Sequence, residues 1–91
     1  MQEVKEKICS YFGRTTDVLQ SKSKKSKDTI VVHFTIFILH TKYNVALRRL
    51  SADFGKSLRW TCCIINQVKS LVMTDKAYKD HYNNICRILF S

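Results

Sequence analysis

The residues whose types and spacing could do chemistry in this chain are Arg48, Arg49, Lys56, Arg59, Asn66 and Lys69. Arginine and lysine offer charge and N–H donors to phosphate oxygens, and the planar guanidinium can grip two acceptors at once. In the major groove of a duplex, Arg pairs bidentately with guanine and Asn with adenine, each good pair contributing about 1–3 kcal/mol of discrimination. The chemistry suggested is recognition of nucleic acid, and no bond-making is expected. The only glycines, Gly13 and Gly55, exclude a phosphate-binding loop or a dinucleotide fingerprint. Cys9, Cys62, Cys63 and Cys86 contain no C-x-x-C pair, and their spacing fits neither a zinc finger nor a disulfide framework. They read as small buried hydrophobes in a reducing compartment. His33, His40 and His81 lack Glu or Cys partners at ligand spacing, so neither a metal nor another cofactor is expected.

The charge is uneven. Sixteen Lys+Arg against seven Asp+Glu give a net +9. Lys22, Lys24, Lys25, Lys27, Lys42, Arg48, Arg49, Lys56 and Arg59 are opposed in their window only by Asp28 and Asp53, which leaves +7 of the +9 there. A field of that size points to a polyanion, either nucleic acid or an acidic membrane surface. The longest apolar stretch, Ile30 to Leu39, includes His33 and Thr35 and is too short to cross a bilayer. Gln2 to Lys7 is too polar for a signal peptide. The expected location is the cytoplasm, on the nucleoid, with no membrane partner.

Ninety-one residues suit one domain, 1–91. No proline and two glycines are too few turn formers for a β-protein, so an all-α, compact helical bundle is expected. A first helix is expected over Gln2 to Phe12, with Val4, Ile8 and Tyr11 or Phe12 on one face and Gly13 closing its end. Thr15 or Thr16 can cap a short turn through Asp17, Val18 and Leu19, before a basic loop over 21–27. Ile30 to Leu39 alternates like a strand and has strand propensity. No second strand is evident to pair with it, so a buried helix from Asp28 to about Tyr43 is expected. Asn44 begins a break. Ala46 to Phe54 then carries Leu47, Leu50 and Phe54 on one face, Gly55 turns the chain, and Ser57 is placed to cap the next helix. Leu58, Thr61, Ile65, Val68 and Val72 form that helix's expected inner face. Thr74 is the expected cap of the last helix, with Asp75 in its first turn and Tyr78, Tyr82, Ile85 and Leu89 inward.

Residues 46–73 therefore have the layout of a helix-turn-helix: a short helix, a glycine turn and a longer helix. In that geometry the first helix crosses the phosphate backbone and the second enters the major groove. Arg48, Arg49 and Lys56 would meet phosphates, while Arg59, Cys62 or Cys63, Asn66 and Lys69 would lie on the exposed face of the second helix. Lys22, Lys24, Lys25 and Lys27 would reach phosphates or the minor groove. Trp60 belongs to the same region but reads more readily as a packing residue than as a base contact. The basic loop lacks interleaved aromatics for stacking on unpaired bases, which favours double-stranded DNA over RNA.

Several segments share the order and spacing of a known family across almost the whole chain. They are Val4-Lys5 through Tyr11-Phe12-Gly13, Val18-Leu19-Gln20-Ser21-Lys22-Ser23-Lys24, Asn44 with Leu47, Leu50 and Phe54-Gly55, Thr74-Asp75, and Ile85-Cys86-Arg87-Ile88-Leu89. Together they resemble the C-terminal DNA-binding domain of the bacterial replication initiator DnaA. The resemblance implies a Trp-repressor-like helical fold, double-stranded DNA binding and a link to replication initiation. It also favours helix over strand for Ile30 to Leu39, where the family has its long central helix. The family's Asp-His-Thr triplet, which opens the recognition helix, is replaced by Ser57-Leu58-Arg59 or, with a different gap, by Arg59-Trp60-Thr61. Ser57 keeps the capping role, and the base reading is expected to be lost or rewritten. Lys24 stands where the family has a minor-groove arginine, and Arg48 replaces a proline. The resemblance covers only the family's DNA-binding module and not its ATPase domain. The chain is thus expected to be a divergent module, either stand-alone, bacterial or from a phage or mobile element, or a piece of a longer protein; as a complete gene product it would not hydrolyse ATP. The alternative is a protein-interaction module that kept the fold, gave up base reading and binds a replication or regulatory protein. Leu58, Trp60, Cys62 and Cys63 near the recognition surface motivate it.

Overall fold

Three backbone positions in the left-handed region set where helices stop. In a computed structural model that describes residues 2–15, 19 and 26–90, these are Gly13 at φ +71°, Asn44 at φ +56° and Gly55 at φ +62°. An ordinary side chain there costs about 1–2 kcal/mol, which explains the choice of residue. At both glycines the same two hydrogen bonds close the helix. Gly13 N–H donates to the Ser10 carbonyl at 3.0 Å and Arg14 N–H to the Cys9 carbonyl at 2.8 Å. Gly55 N–H donates to the Ala52 carbonyl at 3.3 Å and Lys56 N–H to the Ser51 carbonyl at 2.9 Å.

The described residues are all-helical. Helix α1 spans Gln2–Tyr11, α2 Ser26–Tyr43, α3 Leu47–Phe54, α4 Leu58–Thr74 and α5 Lys76–Phe90. Ile30 to Leu39 lies inside α2, against its local strand propensity. Val31, Phe34, Thr35, Ile36, Phe37, Ile38 and Leu39 are each at most 5% exposed. They point in almost every direction, so α2 is the helix around which the others pack. The one polar group among them is satisfied: Thr35 Oγ1 donates to the Val31 carbonyl at 2.8 Å. Helices α1, α3 and α4 lie against α2, while α5 packs on α4 and α1. Tyr78 stacks on Phe34 at 5.4 Å and Tyr82 meets Phe37 edge-on at 5.7 Å, tying α5 to α2. The radius of gyration, 12.0 Å, is that of a compact globule of this length.

Two expectations about helix ends and faces are corrected. On α4 the buried set is Thr61, Ile64, Ile65 and Val68, and Leu58 is 44% exposed. At 3.6 residues per turn Ile64 lies about 40° from Val68 around the axis, whereas Leu58 lies about 80° away, at the edge of the buried arc. Thr74 does not cap α5. It is the last residue of α4, where its Oγ1 donates to the Ser70 carbonyl at 2.9 Å. Asp75 takes the capping role instead: its backbone N–H ends α4 on the Leu71 carbonyl at 2.7 Å, and its Oδ1 accepts from Ala77 N–H at 2.9 Å. One residue therefore joins the two helices. The expected turn at Thr16, Asp17 and Val18, and Lys22, Lys24 and Lys25 of the basic loop, lie outside the described residues.

Candidate nucleic-acid interface

Helix α3 is short and is held by its apolar side. Leu50 and Phe54 are buried and Leu47 is half-buried. Arg48 and Arg49 fall on the remaining arc and are exposed. The Gly55 closure then delivers Lys56 and Ser57 to the start of α4. Ser57 is extended, at φ −71° and ψ 155°, and its Oγ accepts from Trp60 N–H at 3.1 Å. Its carbonyl accepts both the N–H and the Oγ1–H of Thr61, at 3.1 and 3.0 Å. These bonds fix the first turn of α4, on which Arg59 is exposed.

The inner residues of α4 are clamped in the core, which fixes the rotation of its outer face. Arg59, Cys62, Cys63, Asn66, Ser70 and Met73 are exposed on that face. Arg59 and Asn66 are seven residues apart, hence within about 20° of one another around the axis and about 10 Å apart along it. That span is about three base-pair steps of ~3.4 Å. Asn66 Nδ2 donates weakly to Cys62 Sγ at 3.7 Å. Lys69 is exposed but lies about 80° around from Arg59, on the same rim as Leu58.

Trp60 is half-buried and packs against the core. Its ring meets His33 of α2 edge-on, with centroids 6.1 Å apart, and Lys56 Nζ sits 5.4 Å from its centroid. Burial pushes the His33 imidazole below its ordinary pKa of 6.5, since the charged ring would lose hydration. Of the expected site residues, then, Arg59 and Asn66 share one face, and Lys56 with Ser57 adjoins it at the turn. Arg48 and Arg49 lie on α3, and Lys69 lies at the rim. Lys27 falls in the first turn of α2, and Lys22, Lys24 and Lys25 belong to the undescribed stretch.

The cysteines divide by position: Cys62 and Cys63 depart from the reading of the four as small buried hydrophobes, in line with the helical spacing that sets one or the other on the exposed face of α4. Cys9 is buried and Cys86 half-buried, while Cys62 and Cys63 are exposed because the outer arc of α4 carries them. Burial also pushes the Cys9 thiol above its ordinary pKa of 9.0.

Two arrangements have no sequence signal, since each joins residues far apart in the chain. Lys5 of α1 reaches the end of α3, with its Nζ 5.6 Å from the Phe54 ring centroid. The Tyr11 hydroxyl lies 2.9 Å from His81 Nδ1 and accepts from Asn84 Nδ2 at 3.1 Å, latching α1 to α5. His81 is enclosed there by the rings of Tyr11, Phe12 and Phe34. Among the described residues no three His, Cys, Asp or Glu side chains are placed to hold a metal ion. No described helix is long and apolar enough to cross a membrane.

No family model matches the chain, and no curated protein or solved structure matches it either.

Proposed function

We propose that this protein binds double-stranded DNA as a helix-turn-helix module, with α3 against the phosphate backbone and the outer face of α4 in the major groove. The observation that carries the reading is the face of α4. Arg59 and Asn66 stand on one exposed stripe, and a buried opposite side holds that stripe at a fixed rotation. Arg48, Arg49 and Lys56 supply positive charge beside it, where only Asp53 is acidic between residues 29 and 74. In this reading those three residues meet phosphates and set register, while Arg59 and Asn66 touch base edges. Lys69 reaches a flanking phosphate from the rim. Lys22, Lys24, Lys25 and Lys27 add phosphate or minor-groove contacts. Ser57 holds the first turn of α4, and Trp60 supports it from behind. The resemblance to the initiator domain extends the proposal to replication on the bacterial nucleoid. The departure at its triplet makes the target sequence a different one.

Selection from a random duplex pool tests the reading. Enrichment of a motif a few base pairs long, lost with Arg59→Ala and kept with Arg48→Ala, supports it. Failure to retain any duplex contradicts it. A second reading, a module that binds a replication or regulatory protein, is favoured by one observation: Leu58 and Met73 of α4 are 44% and 76% exposed. A partner that survives nuclease digestion and is lost with Leu58→Ser and Met73→Ser would support that reading instead.

A further inference from the structure

Lys5 is the only basic residue of α1 turned toward α3, and its surroundings differ from those of Lys7. Lys7 Nζ lies 3.6 Å from Glu3, an i, i+4 pair on the exposed side of the helix. Lys5 lies about 160° around the axis from both members of that pair. Its own neighbours three and four residues along, Gln2, Ile8 and Cys9, carry no acid. Its ammonium instead sits 5.6 Å from the centroid of Phe54, the last residue of α3. Lys56 has the same arrangement on the far side of the turn, 5.4 Å from the centroid of Trp60. A lysine from α1 and a lysine from the turn itself are thus seated on the two aromatic rings that flank Gly55.

An aromatic face attracts the cation but accepts little hydrogen bonding, so a lysine seated there keeps N–H donors for another acceptor. Seating also restricts a long side chain in advance, which lowers the entropy lost when the acceptor arrives. The acceptor such a pair suits is a tetrahedral anion with several equivalent oxygens, since ammonium groups act as point charges without the directional fork of arginine. Resting on the DNA reading above, we infer that Lys5 and Lys56 together grip backbone phosphates of the duplex, extending the contact surface from the α3–α4 turn onto α1. They position the strand and carry no base preference.

The test uses the whole chain with a random-sequence duplex, titrated with salt. Each phosphate contact contributes about 0.9 to the slope of log affinity against log salt. Lys5→Gln and Lys56→Gln should each flatten the slope by about one, and the double variant by about two, with any sequence preference unchanged. Lys5→Arg should restore the slope, and Lys7→Gln should leave it as in the unaltered protein. Far-UV circular dichroism on each variant separates lost binding from lost folding. Binding by the unaltered protein with no change of slope in Lys5→Gln overturns the inference and leaves the DNA reading intact. An equal flattening by Lys7→Gln overturns it too, because general charge would then be the cause. No binding by the unaltered protein overturns both.

Discussion

Replacing Ser57 separates the stability of α4 from the chemistry of its surface. Ser57 Oγ accepts from Trp60 N–H at 3.1 Å, satisfying one of the four N–H groups that the start of a helix leaves without partners. Ser57→Ala removes that acceptor and should cost about 1 kcal/mol. In a domain of this size such a loss lowers Tm by roughly 4–8 °C. Ser57→Asp retains an oxygen at the same place and adds a negative charge next to the positive end of the helix dipole, so its Tm should equal or exceed that of the unaltered protein. The order for DNA affinity should differ. Ser57→Ala leaves the surface charge unchanged and should bind almost normally well below its Tm, whereas Ser57→Asp sets a carboxylate beside Lys56 and Arg59 and should bind more weakly at every salt concentration. Thermal unfolding by far-UV circular dichroism and duplex titration by fluorescence anisotropy read the two properties. A Ser57→Ala protein with unchanged Tm would refute the capping argument. A Ser57→Asp protein that is stable and binds DNA undiminished would refute the placement of phosphates at this turn.

Other outcomes follow from the same geometry. Arg48→Ala should weaken binding to all sequences alike and flatten the salt dependence by about one unit of slope, whereas Arg59→Ala should chiefly reduce the preference between sequences; parallel titrations on a selected and a scrambled duplex distinguish them. Thiol titration with an aromatic disulfide reagent should modify Cys62 and Cys63 rapidly and Cys9 slowly, and a bound duplex should protect the first two. His33 is held below pKa 6.5 by burial, so the unfolded chain takes up its proton more readily than the folded one. Stability should therefore be full above that pH, fall as pH drops through 6.5 toward the folded value, and level off below it. Urea unfolding at a series of pH values checks this, and the dependence should shrink in His33→Gln.

Much of the fold is legible in the sequence because its stop signals are local. Gly13, Asn44 and Gly55 interrupt helices where only such residues adopt φ near +60°, and Ser57 caps α4 through an atom three residues from its partner. Ile30 to Leu39 is different. Its side chains alone favour a strand, and it is helical because neighbours on nearly every side bury it as α2. The inward place of Ile64 over Leu58 was not legible, since both fit an apolar stripe and only packing centres the buried arc. Nor was the joint between α4 and α5: Thr74 and Asp75 are both competent caps, and the hydroxyl of Thr74 turned back onto its own helix. The exposure of Cys62 and Cys63 follows from that same rotation of α4. Among the candidate site residues, the stripe of Arg59 and Asn66 was readable from helical spacing alone. The seat of Lys5 on Phe54 and the Tyr11–His81 latch join residues that only the tertiary fold brings together.

The central claim is that the basic face around α3 and α4 engages a duplex through its phosphates. The most direct measurement is fluorescence anisotropy of the unaltered chain with a random-sequence duplex, from low to physiological salt. With about five to eight phosphates contacted, log affinity should fall against log salt with a slope of roughly −4 to −7. Absence of binding even at low salt would contradict the account and leave the face of α4 to a protein partner.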